Sequence, residues 1–461
     1  MSYPISLTPA QERFLADLFP GDGLILSAEG RTPFGADAGR RFALPLAVVR
    51  PGRVEQIVEL LAWAEAERMP IYPRARGTGM VGGAVTVHGG VVVSMLKLDR
   101  ILELDPEDFV ARVEPGVITA HLQAEAARRK LFYPPDPASL RISTVGGNAA
   151  TCAGGMRALK YGVTLDYVLV VVAVLPGGRT IRAGGRVHKD VVGLDLTRLF
   201  VGSAGTLGLM VELTLKLLPL PEAAASVLAA FDTLESALAA AASVLRAGLL
   251  PTALEFMDGS CLAAVAREGH APWSGRPGGA LLARLDGPAA TLDVELGRLA
   301  GLLAESGPAA LLTGRGAEEE ALWELRRRVS PSAFVYGPDK LGEDVVVPRG
   351  KTDQAVAGFQ AIGERLGLVV LCYGHLGDGN VHVNIMHDAK IPGQREAAAQ
   401  AKEEVFRLAL SLAGSISGEH GTGLSKAPYV AWQVGQAERE LMARIKAVFD
   451  PRGIMNPGKG W

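Results

Sequence analysis

Two short stretches carry residues able to hold a cation beside a reactive group. The first is Tyr373-Gly-His-Leu-Gly-Asp-Gly-Asn-Val-His-Val-Asn-Ile385. Apolar runs at 368–373 and 381–385 flank Asp378-Gly379, a strong short-range signal for a two-residue hairpin turn. With Asp378 and Gly379 as the loop, Gly377 pairs with Asn380 and His375 faces His382. Directly opposed residues hold their Cβ atoms roughly 4.5–5.5 Å apart, which suits two imidazoles on one cation. The second stretch, Ser417-Gly-Glu-His-Gly-Thr-Gly423, offers Glu419 as a third ligand next to His420. Two histidines, one carboxylate and an open position describe a catalytic divalent-metal site, with zinc first and manganese or iron also suited. The expectation is an enzyme.

The rest of the chain must position these groups. Its 461 residues exceed one ordinary core, so two or more domains are expected. With 48% hydrophobic and 21% charged residues it reads as globular. A formal charge of −2 gives no electrostatic reason to invoke nucleic acid or a membrane surface. Cys152, Cys261 and Cys372 are too scattered to encode an iron–sulfur site or a disulfide framework. The N-terminal residues lack a charged segment followed by an apolar one, and the best apolar run, 167–175, is far too short to span a bilayer. A cytoplasmic protein without a transmembrane segment is expected, peripheral to the inner membrane only through a partner.

Thr8, Pro9 and Gln11 form an N-cap, first-turn proline and capping box for a helix to about Leu18. Residues 41–50 suggest a strand, and apolar positions from Val54 to Ala66 a helix ending before Pro70. Within 73–83 lies a literal G-x-G-x-x-G, Gly77-Thr-Gly-Met-Val-Gly82. A dinucleotide fold would open a helix there, but strand and turn residues follow, which argues against a nicotinamide-binding Rossmann domain. Such a loop can still cradle phosphates through backbone N–H groups. Small-residue loops recur at 143–155 and 199–208. Strands are expected at 110–115, 167–175, 179–183 and 211–217, and a helix at 121–130. After Pro219 the rhythm changes to two strand–helix–strand units, 227–257 and 280–313, which indicates an α+β half with antiparallel character. A helix at 317–328, a strand at 340–348, helices at 351–366 and 394–412 and a last helix at 437–449 complete the chain.

Six motifs follow one another in the chain: Arg76-Gly-Thr-Gly-Met-Val-Gly-Gly83, Val145-Gly-Gly-Asn-Ala-Ala-Thr-Cys-Ala-Gly-Gly155, Gly202-Ser-Ala-Gly-Thr-Leu-Gly208, Gly374-His-Leu-Gly-Asp-Gly-Asn-Val-His382, Ser417-Gly-Glu-His-Gly421 and Asn456-Pro-Gly458. In this order they resemble the FAD-linked D-2-hydroxy acid dehydrogenases, a family that includes glycolate oxidase catalytic subunits, cytochrome-linked D-lactate dehydrogenases and D-2-hydroxyglutarate dehydrogenases. The resemblance implies an N-terminal helix and arm (1–38), a two-part FAD-binding domain of the vanillyl-alcohol-oxidase (PCMH) type (39–219) and an FAD-linked oxidase C-terminal α+β domain (220–460). It places Arg74, Ala75, Arg76, Gly77, Thr78, Gly79 and Met80 at the pyrophosphate, with Pro73 as an adjoining FAD contact. Further FAD contacts are implied for Pro137, Gly146, Gly147, Asn148, Thr151, Gly154, Tyr161, Gly162, Thr164, Gly208, Val211 and Asn456. No histidine lies between 73 and 87, so the FAD is expected to be non-covalent. The sequence departs from the family at Arg76, where a small residue is usual, and at Ala204, where an acidic one is.

The resemblance also implies the reaction. A small D-2-hydroxy acid loses a hydride from C2 to FAD and its hydroxyl proton to His420, with metal assistance. D-lactate is the first candidate, then glycolate or D-2-hydroxyglutarate. Arg326, then Lys340, matches the position that binds the substrate carboxylate, with Ser330 and Asn384 as hydrogen-bonding neighbours. No redox centre beyond flavin is encoded, so a quinone, cytochrome, electron-transfer flavoprotein or iron–sulfur subunit must take the electrons. A homodimer is compatible with the sequence. The alternative is a non-catalytic flavoprotein subunit of a glycolate-oxidase-like complex, which would be expected to lack the metal motifs. A metal-dependent hydrolase would leave the glycine-rich loops unexplained.

Overall fold

The computed structural model describes residues 3–39, 41–269 and 271–460. Its contacts divide the chain into two compact units. The first draws on 1–154, 163–220 and 419–461, and the second on 155–162 and 221–418.

In the first unit the helix Pro9–Leu18 begins on the expected capping box, with Thr8 and Gln11 bonded reciprocally. A four-stranded sheet runs in the order Leu24–Ile25, Ala47–Val49, Val91–Ser94, Ile71–Arg74, the last three parallel. The helix Val54–Glu67 buries Ile57, Leu60, Leu61 and Ala64 in the core against this sheet. The chain leaves the strand Ile71–Arg74 directly into the glycine-rich loop, and no helix opens on Gly82. A five-stranded antiparallel sheet follows, ordered Ile101–Asp105, Val110–Val113, Leu209–Lys216, Val168–Val174, Thr180–Gly184. The small-residue stretch at 143–155 was expected as a loop, but it contains the helix Val145–Thr151. Thr144 caps it by accepting from the Gly147 N–H, and glycines let the backbone pack against Pro115, which a propensity reading penalises.

The second unit is a seven-stranded, wholly antiparallel sheet. Its order is Ala310–Gly314, Ala223–Phe231, Gly279–Gly287, Ala253–Asp258, Val369–His375, Asn380–His387, Asp339–Val346. The two expected strand–helix–strand units are present, with helices Leu234–Arg246 and Ala289–Glu305. The helices Ala158–Tyr161 and Gly259–Arg267 were not anticipated. Among the described residues, no helix is long and apolar enough to cross a membrane.

Candidate active site

In the first unit the glycine-rich loop, the 137–154 segment and the 204–210 turn enclose a cavity of about 470 Å³. Of the residues expected at FAD, Pro73, Arg74, Ala75, Gly77, Thr78, Gly79, Met80, Pro137, Gly146, Gly147, Asn148, Thr151, Gly154 and Gly208 line it. The loop is shaped by Gly77, whose φ is +67° and whose Cβ, if present, would lie 2.4 Å from the Arg74 guanidinium. Glu419 and His420 line the same cavity, joining the late motif to the early loops.

Other expected contacts lie elsewhere. Arg76 is exposed, and Val211 packs into the core. The Thr164 hydroxyl donates to the Ala153 carbonyl. Asn456 donates its amide to the carbonyls of Gly83 and Ala204, so it braces two cavity walls rather than lining one. Tyr161 and Gly162 belong to the second unit, where the Tyr161 hydroxyl donates to Asp286.

The cavity has polar groups suited to a cofactor. Asp37 Oδ2 and Arg74 Nη1 line it buried and, among the described residues, without a hydrogen-bond partner, although such atoms are costly when unpaired. Asp37 lies outside every glycine-rich motif, so nothing in the sequence pattern singled it out.

In the second unit the hairpin carrying the histidines differs from its expected register. Residues 376–379 form a four-residue turn, and His375 pairs with Asn380 while His382 pairs with Tyr373. The N–H groups of Asp378 and Gly379 both donate to the His375 carbonyl, which closes a longer turn than Asp-Gly alone. The two-residue shift keeps both histidines on one face, because side chains alternate with period two. They are diagonal neighbours, with ring centroids 5.2 Å apart and planes at 87°.

Behind them lies a residue that pattern reading missed. Glu255, in the apolar strand Ala253–Asp258, stands directly opposite His375 in the sheet and is fully buried. Its Oε1 lies 2.6 Å from His375 Nδ1, and its Oε2 accepts from Arg326 Nη2 at 2.7 Å and Nε at 2.9 Å. Burial alone would push the Glu255 carboxyl up, but His375 and Arg326 outweigh it and hold it below the ordinary value. An acidic residue within a buried apolar strand was the available signal.

Arg326 is buried, whereas Arg327 and Arg328 form surface ion pairs with glutamates. The Arg326 guanidinium lies 4.7 Å from the Tyr373 ring centre. Tyr373 also receives the Asn384 amide at 3.4 Å. Lys340 donates to the Ser330 hydroxyl at 2.8 Å. Thus Arg326, Asn384 and His382 converge on Tyr373, His375 stands beside His382, and Lys340 holds Ser330.

Asp344, paired with His382 and fully buried, accepts from Asn380, the Ser417 hydroxyl and the Gly418 N–H. A Cβ on Gly418 would lie 2.1 Å from Asn380 Nδ2. This explains the glycine immediately before Glu419.

The fold and these two sites define a flavin-linked oxidoreductase. A profile of the C-terminal domain of FAD-linked oxidases matches residues 220–460, and one of the FAD-binding domain matches 45–184. The chain belongs to the FAD-linked oxidase family, with the vanillyl-alcohol-oxidase-type fold expected from its motifs. It is 38% identical to the glycolate oxidase subunit GlcD of Bacillus subtilis over 94% of this chain and 93% of that protein. A D-lactate dehydrogenase of Anaerostipes hadrus is 35% identical over 90% of each chain. The D-2-hydroxyglutarate dehydrogenase of Stutzerimonas stutzeri is 34% identical over 95% of each. Among solved structures, p-cresol methylhydroxylase superposes with a TM-score of 0.83 at 17% identity, over 99% of this chain and 98% of that one, which establishes the fold.

Proposed function

We propose that this chain oxidises a small D-2-hydroxy acid to the 2-oxo acid. D-lactate is the first candidate, then glycolate or D-2-hydroxyglutarate, the compounds in the names of its relatives. The observation that carries the reading is that Glu419 and His420 stand on the wall of the cavity lined by the glycine-rich loops.

FAD bound in that cavity would supply the hydride acceptor, and a divalent cation, for which the two late motifs offer His375, His382 and Glu419 as ligands, would supply positive charge at the substrate hydroxyl. The donor set suits zinc first, with manganese or iron as alternatives. His420 accepts the hydroxyl proton as general base. Lys340, Ser330 and Asn384, with Arg326 beside them, hold the substrate carboxylate. The flavin is held non-covalently by the loop from Pro73 to Met80. The glycolate oxidase relatives are named as subunits, which favours reoxidation by a partner protein or its quinone.

His420→Ala should keep its FAD and metal but slow anaerobic flavin reduction by about 10²–10⁴-fold, the range for a lost general base. Bleaching at the wild-type rate in stopped flow would remove His420 from the mechanism.

A further inference from the structure

The Glu255 carboxylate occupies the middle strand of a seven-stranded sheet, with no exposure to solvent. A charge there is expensive unless each oxygen is matched. Both are. One oxygen meets His375 Nδ1, and the other takes two N–H groups of the Arg326 fork. The guanidinium is in turn fixed against the Tyr373 ring. An ionised carboxylate at 2.6 Å selects the imidazole tautomer with its proton on Nδ1, which leaves the Nε2 lone pair for coordination.

We infer that Glu255 and Arg326 are positioning residues for the metal centre: Glu255 sets the tautomer and ring orientation of His375, and Arg326 holds Glu255. This rests on the metal reading above and assigns Arg326 a task that substrate binding does not require. Neither residue touches the cation. Their effect passes through His375, as carboxylates behind metal-bound histidines act elsewhere.

Glu255→Gln is nearly isosteric, but an amide has one acceptor oxygen and cannot satisfy both His375 Nδ1–H and the arginine fork. Arg326→Lys keeps the charge and loses the fork. Cobalt(II) and zinc affinity would be measured on the FAD-loaded full chain by competition with a chelating dye. Both variants should bind about 10–100-fold more weakly than wild type, with FAD content retained and the far-UV circular dichroism of the folded chain unchanged at the assay temperature. A His382→Ala control should abolish binding. Wild-type affinity in Glu255→Gln would overturn the inference, and wild-type affinity in Arg326→Lys would overturn Arg326's part. If wild type itself binds no metal, or His382→Ala binds as tightly, the metal reading fails and the inference with it.

Should Glu255→Gln not fold, the metal-free wild type still decides the matter. Long-range ¹H–¹⁵N spectra of its histidines, with His375 assigned by loss of its signal in His375→Asn, should show the Nδ1–H tautomer. An Nε2–H tautomer for His375 would refute the assignment.

Discussion

At the residue scale, Gly77 shows how one missing Cβ shapes the flavin cavity. Its left-handed backbone costs an alanine roughly 1–2 kcal/mol. The added methyl would also meet an Arg74 guanidinium that already donates to the Pro33 and Ala36 carbonyls. Gly77→Ala should therefore lower FAD occupancy several-fold, read as the 450 nm to 280 nm absorbance ratio. Wild-type occupancy would show that the loop adapts. Residues of this kind are legible in sequence because glycine clusters announce close backbone approach. Glu255 and Asp344 were not, because each acts on a partner distant in the chain, and Asp37 was not, because it reaches the cavity from outside every glycine-rich motif.

At the element scale, the segment Gly155–Gly162 belongs to the second unit by contacts, although its neighbours on both sides belong to the first. Lys160 and Tyr161 secure it through Asp286, with Lys160 Nζ 2.6 Å and the Tyr161 hydroxyl 2.9 Å from one carboxylate oxygen. Burial alone would push the Asp286 carboxyl up, but the Lys160 ammonium and Tyr161 hydroxyl help hold it below the usual range. A carboxyl lowered on folding contributes stability that is complete above its unfolded pKa of about 4. That contribution disappears as pH falls through the lowered folded value. Asp286→Asn should therefore lower the apparent Tm at pH 7, and its gap from wild type should close below about pH 4. A pH-independent gap would contradict this account.

Element types were largely readable from periodicity, including the helix Val54–Glu67 and the alternation of strands and helices after Pro219. Pairing detail was less so. The Asp-Gly signal placed the hairpin correctly but missed its four-residue turn, since the turn depends on two N–H groups converging on the His375 carbonyl. The two histidines stayed on one face because the register error was even.

At the scale of the whole molecule, the account requires two late motifs and three early loops to serve one reaction. The early loops and the Glu419-His420 pair share one cavity in the first unit. The histidine pair and its polar neighbours form a second cluster within the antiparallel sheet. The most direct test is anaerobic flavin reduction by a panel of D- and L-lactate, glycolate and D-2-hydroxyglutarate, before and after metal stripping and restoration. The account predicts bleaching at 450 nm by at least one D-2-hydroxy acid or glycolate, none by NADH, loss on stripping, and recovery when zinc or manganese is returned. A flavin that stays oxidised with every hydroxy acid, or bleaches at the same rate without metal, would contradict it.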